Sequence, residues 1–401
     1  MNKTAFWKNS FPLCLLFATA LSSCSSDNDN GSTVTTNNPA AYIKDAAKLK
    51  MIHSLTDIDG GKGRFYELNY TLDYKLDEAL KSEPIDLEGI TAFMSKHLFD
   101  TVPQTTTKLG YGAGCSAFAV PDPSTGNYLM GRNFDFCHVD PATKQEVPIA
   151  AIVVHTTSAE GKKSVSMVDS YWMGLNKGFY TDGKSDLSVL MALPYVLMDG
   201  MNEDGLAIGV LHLGGEPAVQ KKPGKLSIMT SIAMRMLLDK AKDVDDAIGK
   251  LQKYNMNMES TAGGSYHYFM ADAKGNYAII EYLSSDTDED DYEMKVLNNN
   301  DTLRYVTNFY VHPSLANDSV IGGRSTRGKE RYNTMKNYMK MNVYKLTEAQ
   351  AMELLGKVAT DANPEENTSH TQWSSLYNLS KRTLDVSILK EYDTKYTFRL
   401  K

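Results

Sequence analysis

The sequence has few cysteines, no excess of basic residues and little to suggest a membrane span. Only four cysteines occur among 401 residues, and the formal net charge is −7 at pH 7. No basic cluster is longer than a few residues, so we expect no nucleic-acid partner, and the acidic balance argues against electrostatic docking on anionic lipid. The apolar run at residues 11–21 is too short to span a bilayer comfortably, and no internal repeat is present.

The first residues have the composition of an export leader. Lys3 and Lys8 precede the apolar run at 11–21, which ends in small residues before Cys24. This order is typical of a secretory signal peptide at residues 1–23. The tetrapeptide Leu-Ser-Ser-Cys that ends at Cys24 also resembles the lipobox of bacterial lipoproteins, which implies lipid on the Cys24 sulfur and anchoring to the cell envelope. The alternative is a plain signal peptide with a coincidental cysteine.

Three segments of different composition follow the leader. Residues 24–41 are small and polar without a hydrophobic period, which predicts a flexible tether. Residues 42–114 carry two stretches with helical spacing, separated by an alternating strand-like stretch, and are interpreted as a helical N-terminal segment. Residues 115–401 are interpreted as the main domain. Within that domain, the acidic run at 286–291 lacks an ordered spacing of calcium ligands and is interpreted as a solvated loop.

The apolar pattern of the main domain alternates between strand and helix. Strands are predicted at 149–155, 164–168, 206–213, 266–272, 276–282, 373–379 and 383–389, and helices at 226–241, 244–251, 330–341 and 347–358. Asp199–Gly205 is predicted as a turn because of its glycines. This order favours an α+β fold in which two sheets pack between helical layers.

The stretch that begins at Cys115 predicts a β-hairpin. Cys115 opens an alternating apolar run, a glycine-containing turn follows, and a second run ends with Arg132 and Asp135. Because the two ends of a hairpin meet, we expect the thiol, the guanidinium and the carboxylate to lie close together as a candidate nucleophile site. The alternatives are a buried structural cysteine, or a disulfide between Cys115 and Cys137.

A cysteine at the start of a processed chain would need no histidine as its base. If the Gly114–Cys115 bond were cut, the freed α-amine would have an ordinary pKa of about 7.7–8.0 and could take the thiol proton. Arg132 would favour the thiolate, and Asp135 would accept hydrogen bonds from the ammonium group. This chemistry accounts for an arginine and an aspartate beside the cysteine.

Five blocks of the chain, in order, resemble the choloylglycine hydrolase superfamily of N-terminal-nucleophile enzymes. That superfamily contains bile salt hydrolases, penicillin V acylases, acid ceramidase and N-acylethanolamine acid amidase. The resemblance runs from about Gly112 to the C-terminus and implies an αββα sandwich. The blocks are Gly114-Cys-Ser with Gly131-Arg-Asn-Phe-Asp135, Asp199-Gly-Met-Asn-Glu-Asp-Gly205, His267-Tyr-Phe-Met-Ala-Asp272, Tyr305-Val-Thr-Asn308 and Trp373-Ser-Ser-Leu-Tyr-Asn-Leu379.

The resemblance implies a role for each matching residue. Cys115 corresponds to the nucleophile and, through its freed amine, the base. Arg132 and Asp135 correspond to the charged pair beside it, and Asn308 to the asparagine whose side-chain amide donates to the oxyanion. Arg331 corresponds to the family's later catalytic arginine, and Arg324 competes with it for this alignment.

Two departures from the family pattern concern the substrate and the processing. His212 lies near the position where bile salt hydrolases carry an asparagine and penicillin acylases a tyrosine, and it is either a substrate contact or a strand histidine. The long segment before Cys115 resembles the ceramidase-like branch, in which the chain cuts itself before the cysteine. The segment that ends at Gly114 is then a propeptide or a retained chain.

The predicted function is hydrolysis of linear amide bonds in small N-acyl amides through a thioester on Cys115. The scheme requires no cofactor and no metal. Open alternatives are a bile salt hydrolase or penicillin V acylase activity, acyl transfer to an amine acceptor, and a ligand-binding lipoprotein without catalysis. Family members form dimers and tetramers, so the resemblance also suggests homo-oligomers.

Overall fold

The structure, a computed structural model, describes most of the chain. The described residues are 38–100, 114–140, 142–157, 161–259, 264–285, 291–298, 304–315, 326–366 and 368–400. The predicted leader at 1–23, Cys24, most of the tether, Arg324 and most of the acidic run lie outside these ranges. Within the described ranges, no helix combines the length and the apolar character needed to cross a bilayer.

Strands outnumber helices in the described part of the chain. The strands are β1 (Thr56–Asp57), β2 (Phe65–Tyr70), β3 (Gly114–Pro121), β4 (Tyr128–Asp135), β5 (Ala151–Thr156), β6 (Ser164–Asp169), β7 (Leu197–Asn202), β8 (Ala207–Gly214), β9 (Ser227–Met229), β10 (Asn255–Asn257), β11 (Ser265–Ala271), β12 (Tyr277–Ser284), β13 (Tyr292–Asn298), β14 (Tyr305–Val306), β15 (Thr371–Asn378), β16 (Thr383–Ile388) and β17 (Tyr396–Arg399). The α-helices are α1 (Ala46–Ile52), α2 (Leu76–Ser82), α3 (Leu87–His97), α4 (Thr230–Lys240), α5 (Val244–Leu251), α6 (Thr326–Met341) and α7 (Glu348–Lys357).

Two sheets form the centre of the fold. As far as the chain is described, the first sheet has the strand order β1-β2-β5-β6-β7-β8-β11-β12-β13, and the second has the order β14-β3-β4-β15-β16-β17. The short strands β9 and β10 pair separately. Helix α4 packs on β7 and β8 of the first sheet, α6 and α7 pack on the second sheet, and β3 contacts β8 and β11 across the middle. The predicted α+β fold is confirmed, and its layers follow the αββα order.

The alternation of side chains along β3 determines where its cysteine points. Ala117 and Ala119 belong to the core cluster between the two sheets. Phe118 and Val120 belong to a second cluster, between this sheet and helices α6 and α7. Because successive side chains of a strand point to opposite faces, Cys115 shares the face of Ala117 and lies between the sheets.

The N-terminal segment is part of the first sheet. Strand β2 pairs in parallel with β5, from Phe65 opposite Ala151 to Tyr70 opposite Thr156. The two helical stretches and the strand predicted in this segment are confirmed as α1, α3 and β2, and helix α2 was not predicted. Residues 38–100 therefore contribute strands and helices to the same compact unit as the main domain.

Most predicted elements after Cys115 are confirmed, with two local corrections. The predicted helix at 226–241 begins at Thr230, because Ser227–Met229 forms strand β9. The turn predicted at Asp199–Gly205 is wrong in its first half, which belongs to strand β7. The polar residues of that first half, Asp199 and Asn202, resemble a turn in sequence but are buried with partners: Asn202 donates to the Leu238 and Ala241 carbonyls at 3.0 and 2.7 Å.

The disulfide alternative is also wrong. Cys115 and Cys137 are both buried free thiols. Cys115 therefore has a free sulfur, which its predicted role as a nucleophile requires.

Candidate active site

The β3–β4 hairpin brings Cys115 to the residues predicted to act with it. Gly114 pairs with Asp135, Cys115 with Phe134 and Ala117 with Arg132, so the predicted hairpin is confirmed. The Cys115 side chain is 1% exposed. Only a glycine fits at position 114, because a Cβ there would lie 2.0 Å from the Thr368 carbonyl oxygen.

Arg132 contacts the Cys115 sulfur directly. Its Nη2 lies 3.4 Å from the Cys115 Sγ and donates to the Val210 carbonyl at 2.9 Å, while Nη1 forms an ion pair with Asp199. Gly209 leaves room for this side chain, because a Cβ there would lie 2.9 Å from the Arg132 Cδ. The charge of Arg132 is therefore compensated mainly by Asp199, a partner that was not predicted from the sequence.

Asp199 is held by two aromatic residues of strand β15. Trp373 Nε1 donates to its Oδ2 at 3.1 Å, and the Tyr377 hydroxyl donates to its Oδ1. Asp199 and Tyr377 are fully buried, and the Trp373 ring stacks on Phe134 with centroids 4.2 Å apart. This cluster fixes the carboxylate that orients Arg132. The sequence signal for it was the pair of blocks beginning at Asp199 and Trp373, which were quoted for resemblance but given no role.

In the uncut chain, Asp135 is held by Arg331 and Thr371. Its Oδ2 lies 3.1 Å from Arg331 Nη1, and its Oδ1 accepts a hydrogen bond from the Thr371 hydroxyl at 2.6 Å. Burial raises the pKa of the Asp135 carboxyl above its ordinary value, although Arg331 and Thr371 act in the opposite direction. Thr371 was not predicted, and only the register of β15 against β4 places it opposite Asp135.

Asn308 and Arg331 bind the main chain of Cys115. The Cys115 backbone nitrogen donates to Asn308 Oδ1 at 2.6 Å, and Arg331 Nη1 donates to the Cys115 carbonyl at 2.6 Å. Arg331 Nη2 also donates to Asn308 Oδ1, at 2.8 Å, which fixes the orientation of the amide. Asn308 Nδ2, the predicted oxyanion donor, donates to the His212 carbonyl at 2.8 Å.

His212 contacts the site through its main-chain carbonyl. Its carbonyl accepts the Asn308 amide, while its half-buried ring packs edge-on against Tyr266 with centroids 5.4 Å apart. The predicted substrate contact of the His212 side chain stays a prediction.

Burial decides the protonation of the thiol while the Gly114–Cys115 bond is intact. Burial raises the pKa of Cys115 to about 11, and the nearby Arg132 and Arg331 lower it only in part. Arg132 acts in the predicted direction, toward the thiolate, but in the uncut chain desolvation outweighs it, so the group at neutral pH is a thiol.

The site is separate from the large groove on the outside of the molecule. That groove, of about 830 Å³, lies between α7 and the second sheet and is lined by residues such as Met352, Tyr392 and Lys395. None of the predicted catalytic residues lines it. In the described part of the chain, no group of three His, Cys, Asp or Glu side chains is arranged to hold a metal ion.

Comparison with models of protein families identifies a family to which this chain is related. A family model described as acyl-coenzyme A:6-aminopenicillanic acid acyl-transferase matches residues 123–391, about two thirds of the chain. The chain belongs to this family. Membership in the acyltransferase family confirms the superfamily predicted from the sequence, which includes bile acid hydrolases and penicillin acylases. The matched range includes Arg132, Asp135, Asn308 and Arg331, and it begins shortly after Cys115.

The solved structures that are similar to this chain include a conjugated bile acid hydrolase and a penicillin V acylase. Two variants of conjugated bile acid hydrolase from Clostridium perfringens match with 15% and 14% sequence identity and TM-scores of 0.47 and 0.48, each over 71% of this chain and 92% of that chain. Penicillin V acylase from Agrobacterium tumefaciens matches with 18% identity and a TM-score of 0.46, over 68% and 83% of the two chains. No curated protein matches at a significant level.

Proposed function

We propose that the chain is an amidase that hydrolyses small linear N-acyl amides through a thioester on Cys115. One observation carries this proposal: each polar atom of Cys115 contacts a different predicted site residue. The nitrogen donates to Asn308, the carbonyl oxygen accepts from Arg331, and the sulfur lies beside Arg132. A structural cysteine does not require three such contacts, whereas an N-terminal nucleophile needs its amine, main chain and sulfur fixed together.

The first reaction is cleavage of the chain itself. The Cys115 thiol adds to the Gly114 carbonyl carbon, and the C–N bond between the two residues breaks. The thiol proton passes to the Cys115 nitrogen, which becomes a free amine, and the Gly114 acyl group is left on the sulfur as a thioester. Water then hydrolyses this thioester, which leaves a carboxylate on Gly114 and a free amine and thiol on Cys115. Asn308 Oδ1, which accepts from the Cys115 nitrogen before the cut, is the proposed acceptor for that amine afterwards.

Turnover repeats this chemistry on a substrate. The free amine takes the thiol proton, and the thiolate adds to the acyl carbon of the substrate to form a tetrahedral oxyanion. The leaving amine receives the proton, a thioester remains on Cys115, and water activated by the same amine releases the acid. Arg132 stabilises the thiolate, and Asn308 Nδ2 is the proposed oxyanion donor, an interaction typically worth about 3 kcal/mol of the barrier.

Acyl transfer is the second candidate, because the matching family is described as an acyltransferase. The two reactions share the thioester and differ only in its acceptor, which is water in one and an amine in the other. Adding an amine acceptor to the assay separates them: a new N-acyl product in place of the free acid identifies transfer.

We also propose export and anchoring through lipid on Cys24, with the tether at 24–41 between lipid and enzyme. The leader sequence supports this proposal. Labelling of cells with a radioactive fatty acid should mark the wild-type protein and leave the Cys24→Ala variant unmarked. Label that persists in that variant would place the lipid on another residue, and a wild-type protein without label would reject the lipid anchor.

The function is tested by intact-mass analysis and by released amine. Purified wild-type protein should separate into two chains at Gly114–Cys115 and release amine from a panel containing bile acid conjugates, N-acylethanolamines, N-acyl amino acids and penicillin V. Cys115→Ala should show neither cleavage nor release, and Cys137→Ala, which alters the other buried thiol, should retain both. A wild-type chain that stays uncut and reacts with no member of the panel would leave the ligand-binding lipoprotein as the better description.

A further inference from the structure

A buried histidine–glutamate pair lies behind the loop that carries Asn308. His267 on β11 and Glu281 on β12 are both fully buried, and their neighbours Tyr268 and Ile280 are paired in the sheet register. His267 Nδ1 lies 3.1 Å from Glu281 Oε1. Neither residue contacts Cys115 in the described structure, and neither has a part in the chemistry above.

Both members of the pair bind the main chain on either side of Asn308. His267 Nε2 donates to the Thr307 carbonyl at 2.8 Å, immediately before Asn308. Glu281 accepts the Val311 amide at 2.8 Å on Oε1 and the His312 amide at 3.0 Å on Oε2. The first sheet thus holds the loop at both ends.

The hydrogen bonds fix one proton of the histidine. The Thr307 carbonyl can only accept, so His267 Nε2 carries a proton and donates it to Thr307. The other ring nitrogen, Nδ1, faces the Glu281 carboxyl group. Both oxygens of Glu281 therefore have partners inside the protein, from the His267 ring and from the loop amides.

The same loop is attached to the nucleophile strand from the other sheet. Val306 of β14 pairs with Ala117 of β3, two residues beyond Cys115. The Thr307 hydroxyl donates to the Gly328 carbonyl of α6, the helix that carries Arg331. Asn308 is therefore placed against Cys115 by contacts from both sheets and from a helix.

We propose that His267 and Glu281 are positioning residues for Asn308, and that the Nε2 bond to Thr307 is the contact that sets the distance from the Asn308 amide to Cys115. This inference deepens the proposed function and rests on it. A shift of about 1 Å in a catalytic group can reduce a rate on the order of 100-fold, so loss of the Thr307 contact is expected to act on turnover and not on substrate affinity.

The test compares two neutral replacements of one side chain. In His267→Gln the amide nitrogen takes the place of Nε2 and keeps the donor to Thr307, whereas in His267→Asn it takes the place of Nδ1 and keeps only the contact with Glu281. Both remove the imidazole ring, so the effect of losing the ring itself cancels. The asparagine variant is expected to lose at least about 10-fold more kcat than the glutamine variant, with KM within about twofold in both. Equal losses in the two variants would overturn the proposal.

Hydrogen exchange on the wild-type protein provides a readout that needs neither activity nor a variant. The Val311 and His312 amides should exchange slowly, because Glu281 accepts both of them. Exchange as fast as that of an open loop would overturn the proposed positioning role of His267 and Glu281 even if the enzyme is active. Conversely, a wild type that releases no amine from the panel but protects these two amides would reject the proposed function and would leave the Glu281 contacts with the loop supported.

Discussion

Two aspartates that look equivalent in the sequence have different partners in the structure. Asp135 follows Arg132 by three residues, yet it binds Arg331 and Thr371. Asp199 comes from another sheet and takes the ion pair with Arg132. One guanidinium nitrogen of Arg132 thus pairs with Asp199, and the other terminal nitrogen faces the Cys115 sulfur.

The Asp199 carboxylate can be tested by removing its charge alone. Asp199→Asn leaves the buried Arg132 without a counter-charge, and such a loss typically costs about 3–5 kcal/mol of unfolding free energy. Cleavage at Gly114–Cys115 should slow as well, because Arg132 loses its orientation. Urea unfolding and intact-mass analysis measure the two effects.

The matched control is Asp204→Asn on the surface. Asp204 pairs with Lys162 at 2.7 Å, and both side chains are partly exposed. Its neutralisation should change the unfolding free energy by about 1 kcal/mol or less. If Asp199→Asn behaves like this control, Asp199 is not the partner that supports Arg132.

The thiol of the uncut chain should react only at high pH. Because burial holds the pKa of Cys115 at about 11, the thiolate fraction at pH 7 is small and rises as the pH approaches that value. Alkylation with a small neutral reagent, located by peptide mass spectrometry on chain that is still uncut, should accelerate up to about pH 11. A rate that levels off below pH 8 would show that the arginines outweigh burial.

At the scale of elements, the features that depend on local sequence pattern could be predicted from the sequence. The alternation and the turn around residue 125 specify the hairpin, so Cys115, Arg132 and Asp135 were placed correctly near one another. The partner of Arg132 was not predicted, because Asp199 reaches it only through the packing of one sheet on the other. The effect of burial on the Cys115 pKa could not be predicted for the same reason, since burial is a property of the folded layers.

A substitution in strand β2 can test whether the N-terminal segment unfolds cooperatively with the rest of the core. Leu68 is fully buried in β2 and pairs with Val154 in β5. Leu68→Ala removes buried methyl groups and should cost about 2–5 kcal/mol of unfolding free energy, measured by urea titration. Met341→Ala at a site that is 82% exposed is the control and should change it by less than about 0.5 kcal/mol. Equal midpoints for the two variants would mean that the segment unfolds independently.

At the scale of the whole molecule, the segment before Cys115 is attached to the last strands as well as to β5. Arg64 donates to both oxygens of Glu391, at 2.6 and 3.0 Å, and Phe65 packs edge-on against Tyr396 with centroids 5.1 Å apart. The Tyr396 hydroxyl donates to Asp59 at 2.8 Å. These contacts do not involve the Gly114–Cys115 bond.

Cleavage should therefore leave the two chains together. After the cut, the chain that ends at Gly114 and the chain that begins at Cys115 should elute as one species from a size-exclusion column in native buffer. They should separate in denaturant, as gel electrophoresis and intact mass can show. An N-terminal chain that leaves the complex in native buffer would identify it as a released propeptide.

A parallel strand shared between two chains has a thermodynamic consequence. The uncut protein unfolds as one molecule, so its melting temperature does not depend on protein concentration. Once cut, the same fold is a heterodimer, and its apparent stability rises with the concentration of both chains. Because β2 and β5 pair in one sheet, cleavage changes the kinetic order of folding. Before the cut, folding is unimolecular; after the cut, refolding is bimolecular, because two chains must associate.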